Sequence, residues 1–434
     1  MRKASIAAIA AVALVVAAFV GSGVASSSHK TATTIKVWAH QGQAGEVATL
    51  QKAIKGFNAS QSDIKATLQL IPEADYTKTV SATQPSGLPD VLEYDGPLMS
   101  GFVYSKKLQT INGQVAGSTV SNQTSSVRAQ NTYGDGKLYG VSMFDSGLAL
   151  YGNKALLKAA GVKYPTTWPK AWTASQFTAA LAKLSAKDKD KKVLDIKENY
   201  AGEWPSYGFL PIVYSTGTPV VKDHKASGSL DSDKVVAAVK TFAGWRKYVD
   251  ANSDDKAFIT KRVALSWVGH WVYPDYSKAL GKNLVLIPLP NFGNGAKSGQ
   301  GSWAWGIGAK SQNAKAAGTF LDYLVNDANV KGMTTANGAP PGTTTGVAAD
   351  KLYKQGGPLA LYAAGLKATC GTKSLTSTCV ATPRPVTAAY ATISKEFSTA
   401  FFNAYRGGDA KSLLSKAAKA IDLDYADNSN YGEK

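Results

Sequence analysis

The amino-acid sequence predicts an α/β protein with two domains. At 434 residues, the chain is too long for one ordinary hydrophobic core and suggests two domains of roughly 150 to 200 residues each. An apolar fraction of 44% and nine tryptophans can supply two such cores. Short β-type segments alternate with helical periodicity, which is typical of layered α/β domains.

Residues 1–25 have the pattern of an export signal. Arg2 and Lys3 precede an uncharged apolar run, and small residues lead to a cleavage site near Ala25. The run is short of the about 20 apolar residues that a membrane anchor needs, so a removed signal is favoured over a retained anchor. No cysteine lies near the cleavage site to carry a lipid. We therefore expect an exported protein that is periplasmic, extracellular or held at the cell surface.

The first elements after the signal alternate between strand and helix. A Ser/Thr-rich leader over residues 26–34 is expected to be disordered, and a strand is expected at 35–39. Apolar residues then recur at helical spacing and predict a helix over 47–57. Further strands are expected at 65–70 and 89–94, which completes the start of an α/β layer.

Two β-type runs in the middle of the chain, 138–144 and 148–151, are expected where the chain passes from one domain to the other. The pattern beyond them again alternates. Helices are predicted over 155–160, 175–184, 232–249 and 314–325, strands over 263–267, 284–288 and 304–307, and two helices joined at Gly407–Gly408 over 387–420.

The two cysteines, Cys370 and Cys379, lie close together in a Gly/Thr/Ser-rich stretch. In an exported protein an isolated pair indicates a disulfide that closes a small loop, with two free thiols as the alternative. A metal site is disfavoured, because no histidine lies nearby and two thiolates do not complete a tetrahedral shell.

The formal charge of +18 raises the question of nucleic-acid binding. The lysines are scattered along the chain, and the densest run, residues 187–192, alternates in sign and is expected to be a solvated loop. We expect no nucleic-acid partner. The basic surface is compatible with an anionic cell envelope or with solubility alone.

The sequence contains no motif that predicts catalysis. None of the four histidines belongs to an H-E-x-x-H pattern, and neither a phosphate-binding Gly-Lys motif nor G-x-S-x-G is present. A pair of acids for glycosidic cleavage can be drawn from Asp95, Asp145 and Glu203, but acids also bind sugar hydroxyls without chemistry. We expect a protein that is not an enzyme and needs no cofactor.

Aromatic residues beside short polar residues are the most informative feature. Indole rings stack on the apolar C–H faces of sugars, while the hydroxyls need acidic, amide, arginine or histidine partners. Each tryptophan can also be a core residue, as we expect for Trp168, Trp172 and Trp245. The pairings in predicted loops are Trp38 with His40, Trp204 with Glu203 and Tyr207, Trp267 with His270 and Trp271, and Trp303 with Trp305.

These residues resemble a known family, the maltose-binding-protein-like class of extracellular solute-binding proteins, which are receptors of sugar importers. The resemblance is strongest at Asp-Gly-Lys-Leu-Tyr-Gly-Val, residues 135–141. Weaker matches, given in chain order, lie at 35–38, 89–96, 150–154, 159–162, 165–168, 269–271, 301–307, 316–321 and 383–386. The chain departs from the family in lacking a lipid-anchor cysteine and in carrying Gly152 where a second tyrosine is usual.

The resemblance implies a type II periplasmic-binding-protein fold with hinge strands between two lobes that close on a ligand. The first lobe is expected to comprise 35–140 and 304–338, and the second lobe 141–303 and 339–434. The chain is expected to cross between lobes near 139–145, 301–305 and 337–341.

By the same resemblance, eleven positions are expected to line the cleft. They are Trp38, His40, Asp95, Phe144, Asp145, Glu203, Trp204, His270, Trp271, Trp303 and Arg384. We expect a sugar to stack on Trp271 and Trp303. Its hydroxyls are expected to bind to Asp95, Asp145, Glu203 and Arg384.

The sequence thus predicts the extracytoplasmic substrate-binding protein of an ABC transporter, a monomer that captures a carbohydrate and delivers it to the membrane permease. One alternative is a receptor for a polyol, a glycerophosphodiester or an acidic sugar, since Arg384 and the basic surface suit an anion. A second alternative is an exported carbohydrate-active hydrolase, which would release a product where a receptor releases its ligand unchanged.

Overall fold

A computed structural model describes residues 32–371 and 375–433, and the α/β prediction is confirmed there. A five-stranded sheet and a four-stranded sheet, each covered by helices, form two lobes, and a third sheet of the described residues has two strands. The predicted signal peptide and residues 26–31 of the predicted leader lie outside the described residues. No helix of the described part is both long and apolar enough to cross a membrane.

The strands of the described residues range in length from two to nine residues. They are β1 (Thr33–Gln41), β2 (Ile64–Pro72), β3 (Val91–Asp95), β4 (Leu108–Gln109), β5 (Leu148–Asn153), β6 (Leu194–Asp195), β7 (Leu265–Gly269), β8 (Leu284–Ile287), β9 (Ser298–Gly299), β10 (Trp303–Gly308) and β11 (Ala381–Thr382).

The helices pack on both faces of the sheets and at the end of the second lobe. They are α1 (Ala44–Ser60), α2 (Glu73–Ala82), α3 (Met99–Tyr104), α4 (Gly117–Asn122), α5 (Ser125–Asn131), α6 (Lys154–Ala159), α7 (Ala174–Ser185), α8 (Trp204–Tyr214), α9 (Asp233–Ala243), α10 (Tyr273–Leu280), α11 (Ala314–Leu324), α12 (Asp327–Asn337), α13 (Thr344–Ala349), α14 (Ala360–Lys367), α15 (Tyr390–Tyr405) and α16 (Ala410–Asp427).

The first lobe is built on a sheet of strand order β2-β1-β3-β10-β4. β1 pairs in parallel with β2 and β3, while β10 returns late in the chain and pairs antiparallel with β3 and β4. Every residue of β3 is buried, because helices cover both faces of the sheet at its centre. The carboxyl end of β3 therefore places Asp95 beside Trp303, the first residue of β10.

The second lobe is built on a sheet of strand order β6-β7-β5-β8, with β5 antiparallel to both β7 and β8. Gly152 of β5 has little room for a side chain, since a Cβ there would lie 2.8 Å from Ile287 Cδ1. α7 begins at a capping box of Thr173 and Gln176, which satisfies two free N–H groups of its first turn.

Three segments of the chain run side by side between the two lobes. Val141 exchanges backbone hydrogen bonds of 3.1 and 2.8 Å with Trp305. The Asp145 N–H donates to the Pro340 carbonyl at 2.8 Å, and the Gly342 N–H donates to the Met143 carbonyl at 3.0 Å. Because each segment pairs with another, the connection is a narrow hydrogen-bonded hinge of the kind that the fold class predicts. The predicted boundary at 303/304 cuts β10, whose first residue Trp303 pairs with Asp95 in the first sheet, so Trp303 is counted with the first lobe. The boundaries at 140/141 and 338/339 stay a prediction.

Some sequence predictions need correction at element ends. β1 begins at Thr33, where Thr33 and Thr34 pair with Ile64 and Lys65, so the leader predicted over 26–34 is too long at its C-terminal end. The helix predicted over 232–249 ends at Ala243 and continues as a 3-10 helix over Gly244–Tyr248. The disulfide between Cys370 and Cys379 is confirmed.

Candidate functional site

The predicted site residues gather mainly where the two lobes face each other beside the hinge. Partly exposed side chains there are those of Trp38, Glu203, Trp271 and Trp303. The remaining predicted positions are buried, with Arg384 and Asp95 at 6% and 8% exposure. We call the set formed by His40, Glu93, Asp95, Glu203, His270, Trp271, Trp303 and Arg384 the interlobe cluster.

On the first lobe, His40 holds Trp303 in place. The imidazole stacks on the Trp303 indole with ring centroids 3.8 Å apart and planes 12° from parallel. His40 Nδ1 is 2.7 Å from Glu93 Oε2, and the edge of Tyr76 contacts the indole at 5.8 Å between centroids. Trp303 is thus fixed on one face and along one edge, and its partly exposed surface can meet a ligand.

The charge of His40 depends on its carboxylate neighbours. Burial by itself would lower the pKa of His40, but the attraction and hydrogen bond of Glu93, with smaller help from Glu46 and Glu73, raise this pKa to about 9. His40 is therefore an imidazolium at neutral pH. A cation on the face of Trp303 adds a cation–π attraction to the stack.

On the second lobe, His270 and Trp271 directly follow strand β7. A Cβ at Gly269 would lie 2.0 Å from Trp271 Cζ3, so only glycine lets the indole fold back over the strand end. An edge contact with Trp204 at 6.0 Å and a tilted contact with Tyr207 at 6.1 Å between centroids hold the Trp271 ring. These contacts leave Trp271 partly exposed.

His270 is neutral, in contrast to His40. Its Nδ1–H donates to the Asn337 carbonyl at 3.2 Å, and its ring meets Phe144 edge-on at 6.3 Å. Burial lowers the pKa of His270 to about 4, against a small opposing effect of the hydrogen bond to Asn337. The imidazole therefore acts as a packing group with one fixed donor.

Arg384 connects the two halves of the cluster. Its guanidinium binds Asp95 through two hydrogen bonds and Glu203 through one. The Tyr207 ring lies 5.0 Å from the guanidinium carbon and also contacts Trp271. Burial would lower the pKa of Arg384, but Asp95 first, with Tyr390 and Glu203, raises it above its ordinary value.

The other predicted positions have different surroundings. Trp204 is buried, and its indole N–H donates to the Ile196 carbonyl at 3.1 Å within the second core. Trp38 packs against the first core next to Tyr76, which donates to the Trp38 carbonyl. Phe144 lines a cavity of about 20 Å³ together with His40 and Glu93.

Asp145 lies apart from the cluster. Its carboxylate accepts hydrogen bonds from Ser126 Oγ of α5, from the Ser146 N–H and from the Gly301 N–H. Burial raises the pKa of Asp145, while these three donors lower it in part. The acceptor atoms of Asp145 are thus already used in joining the hinge segments.

A much larger opening borders the hinge at Asp145. This groove has a volume of about 1210 Å³ and is lined from both lobes. Residues such as Thr124, Asp145, Trp168, Pro341 and Tyr353 lie along it, and of the eleven predicted positions Asp145 alone is among its lining. No residue of the interlobe cluster lines the groove, whereas Phe144, the neighbour of Asp145, lines the small cavity with His40 and Glu93. The groove and the cluster therefore share no lining residue.

Sequence reasoning missed several residues that organise the cluster. Glu93 lies two residues before Asp95 on a strand and so on the same face, a spacing that could have indicated it. Tyr76 and Tyr390 come from helices that carry no marked local signal. Tyr390 donates to Glu203, and Tyr76 donates to the Glu93 carbonyl at 2.7 Å.

Comparison with known proteins places this geometry in a family. The family model of bacterial extracellular solute-binding proteins matches residues 52–360, more than half of the chain. A relative, the multiple sugar-binding protein of Streptococcus mutans, is 23% identical over 324 residues, which cover 70% of this chain and 74% of that protein.

Solved structures share the fold over almost the whole chain. The GacH receptor of Streptomyces glaucescens, described unliganded and with acarbose, has a TM-score of 0.72 at 21% identity and covers 91% of this chain and 98% of its own. The sugar-binding protein MalE from Xanthomonas citri has a TM-score of 0.73 at 19% identity, with 92% and 98% covered. The cyclic α-maltosyl-1,6-maltose binding protein from Arthrobacter globiformis has a TM-score of 0.71 at 19% identity, with 90% and 98% covered.

Proposed function

Because the chain belongs to the bacterial extracellular solute-binding proteins, we propose that it captures a neutral sugar or oligosaccharide between its lobes. It would deliver this ligand to the membrane permease of an ABC importer. We place the protein outside the cytoplasmic membrane and expect it to act as a monomer without enzymatic activity. The sugar-binding relative and the sugar-binding solved structures support the choice of ligand class.

One observation carries the proposal. Each lobe presents a tryptophan at a strand end that is fixed on one side and partly exposed on the other. Trp303 is fixed by His40 and Tyr76, and Trp271 by Trp204 and Tyr207. Rigid indole rings flanked by carboxylates are suited to the apolar faces and hydroxyls of a sugar.

Charge favours a neutral ligand over an anionic one. Among the described residues of the interlobe cluster, the two cations are already paired, His40 with Glu93 and Arg384 with Asp95 and Glu203. An acidic sugar or a glycerophosphodiester would meet an excess of carboxylates there, which repels it. A polyol has the required hydroxyls but lacks the ring face that an indole stacks on.

The test is a ligand panel on the protein, read by thermal unfolding and calorimetry. Neutral sugars, polyols and anionic sugars are compared at equal concentration. A ligand at 100 times its dissociation constant should stabilise the protein by about 2.7 kcal/mol. Stabilisation by anions alone would overturn the neutral-sugar proposal.

Tryptophan variants locate the site. Trp303→Ala or Trp271→Ala should weaken sugar binding by at least roughly 30-fold, or about 2 kcal/mol, because each removes a central aromatic contact. The matched control is Trp172→Ala, since Trp172 packs on Phe177 in the second core. The control should unfold more easily yet bind normally. Equal affinity loss in all three would mean that the effect is structural.

The hydrolase alternative makes a separate prediction. A receptor releases its ligand with an unchanged mass, whereas a hydrolase releases shorter products. Mass spectrometry of the oligosaccharide recovered after long incubation decides between them. Recovery of cleaved sugar would replace the receptor proposal with an enzymatic one.

A further inference from the structure

Arg384 binds carboxylates that come from different lobes. Asp95 is the last residue of β3 in the first sheet, and Glu203 directly precedes α8, which packs in the core of the second lobe. Arg384 Nη1 and Nη2 donate to Asp95 Oδ2 and Oδ1 at 2.7 and 2.5 Å. Nη1 also donates to Glu203 Oε2 at 3.1 Å.

The surroundings keep this three-residue bridge in one geometry. Arg384 is 6% exposed, and the Tyr207 ring lies 5.0 Å from its guanidinium carbon. Ser394 Oγ donates to Glu203 Oε1 at 3.0 Å, and the Tyr390 hydroxyl donates to Oε2 of the same carboxylate. These two hydrogen bonds fix the orientation of the Glu203 carboxylate beside the guanidinium.

We infer that the Asp95–Arg384–Glu203 bridge is a latch that holds the two lobes together independently of ligand. Every group in the bridge belongs to the chain, so its bonds need no ligand atom. Two-point binding of a carboxylate by arginine is among the strongest hydrogen-bonded ion pairs, and burial protects it from screening by salt.

The charge balance makes Arg384 decisive for this latch. One guanidinium offsets two carboxylates, so without it Asp95 and Glu203 would face each other as like charges across the cleft. Loss of Arg384 should therefore replace attraction by repulsion and drive the lobes apart. Loss of Asp95 should remove the attraction without creating the repulsion.

The inference rests on the proposed function only in that closure of the lobes is how such a receptor captures its ligand. The latch itself concerns the free protein. It implies that the free protein already populates a closed form, so a sugar can enter only those molecules that are open at a given moment. That fraction sets the association rate.

The experiment measures the distance between the lobes in the free protein. Nitroxide labels on Lys65→Cys and Lys240→Cys, which are exposed on the first and second lobes, report this distance by pulsed electron resonance. The native cysteines are bonded to each other and do not take label. Arg384→Met should shift the distance distribution to longer values, and Asp95→Asn should shift it less.

Arg262 offers a matched control. Its guanidinium also binds two carboxylates, Asp254 at 2.9 and 2.7 Å and Asp250 at 3.2 Å, but all of them belong to the second lobe. Arg262→Met should leave the interlobe distance unchanged. An unchanged distance in Arg384→Met, or an equal shift in Arg262→Met, would overturn the latch.

A second variant covers the case in which Arg384→Met does not fold. Arg384→Lys keeps the charge but loses the planar two-point contact, so it should give a partial shift of the distance. No shift in both Arg384→Lys and Asp95→Asn would also reject the latch. All these distance measurements use the free protein. They therefore test the latch even if the protein turns out not to bind sugars.

Discussion

The two lobes bring the same pair of residue types, a histidine and a tryptophan, to the cleft, yet they stabilise them differently. On the first lobe, His40 is charged, bonded to Glu93 at 2.7 Å and stacked on Trp303. On the second lobe, His270 is neutral, bonded to a backbone carbonyl, and meets Trp271 edge-on at 5.4 Å. Both imidazoles are buried, so burial alone does not decide their charge; the presence of a carboxylate does.

Replacing each histidine by leucine should have the largest effect on stability and should distinguish the histidine–tryptophan pair of the first lobe from that of the second. His40→Leu leaves the buried Glu93 without its charged partner and should cost about 3 to 5 kcal/mol of unfolding free energy. His270→Leu removes one hydrogen bond to a carbonyl and should cost about 1 to 2 kcal/mol. Urea unfolding near pH 6.5 measures both, and similar losses would contradict the contrast.

The pH dependence of stability should show the contributions of both His40 and His270 in one experiment. The folded pKa of His40 is raised to about 9, so its contribution is complete below about pH 6.5, the unfolded value, and is lost as pH rises toward 9. The folded pKa of His270 is lowered to about 4, so its contribution is complete above about pH 6.5 and is lost as pH falls toward 4. The unfolding free energy should fall by about 3 kcal/mol on the alkaline side and by as much on the acidic side, the two limbs of the profile, with maximum stability near neutrality.

Single variants assign the limbs of this profile. His40→Gln should flatten the alkaline limb alone, and His270→Gln the acidic limb alone. His224→Gln, a change at a partly exposed histidine outside the interlobe cluster, serves as the control. A profile that changes equally in all three variants would argue against the assignment.

The smallest effect on stability is expected from a change outside both histidine–tryptophan pairs. Replacing Cys370 and Cys379 by serine opens a short loop whose Ser377 and Thr378 line the groove. Stability should fall by about 2 kcal/mol, since only a small loop gains freedom in the unfolded chain. Both pH limbs and the sugar affinity should stay as they were. A changed affinity would link the groove to ligand binding.

The site was predictable where its chemistry coincided with local pattern. Trp271 and Trp303 could be proposed because each lies near the end of a predicted strand, beside a polar residue or a second tryptophan. Trp204 was placed in a loop, but it begins α8 and is buried in the second core. A tryptophan in a core and one in a cleft have the same local sequence signals, so only packing separates them.

Partners across the chain were beyond sequence reasoning. Arg384 and Asp95 were both named as binders of sugar hydroxyls, and the structure shows them bound to each other although 289 positions separate them. Tyr390 and Glu203 meet across 187 positions. Contacts of this range follow from how helices and strands pack, which a single sequence does not encode as a pattern.

The sequence by itself determined the α/β class, most strands and helices, the disulfide partners and the aromatic composition of the site. Local periodicity, turn residues and a lone cysteine pair carry that information directly. Only the tertiary structure decided which histidine is charged, which carboxylates share Arg384, and that the large groove lies apart from the aromatic cluster. Those properties depend on distances and burial between remote residues, and these exist only once the lobes are packed.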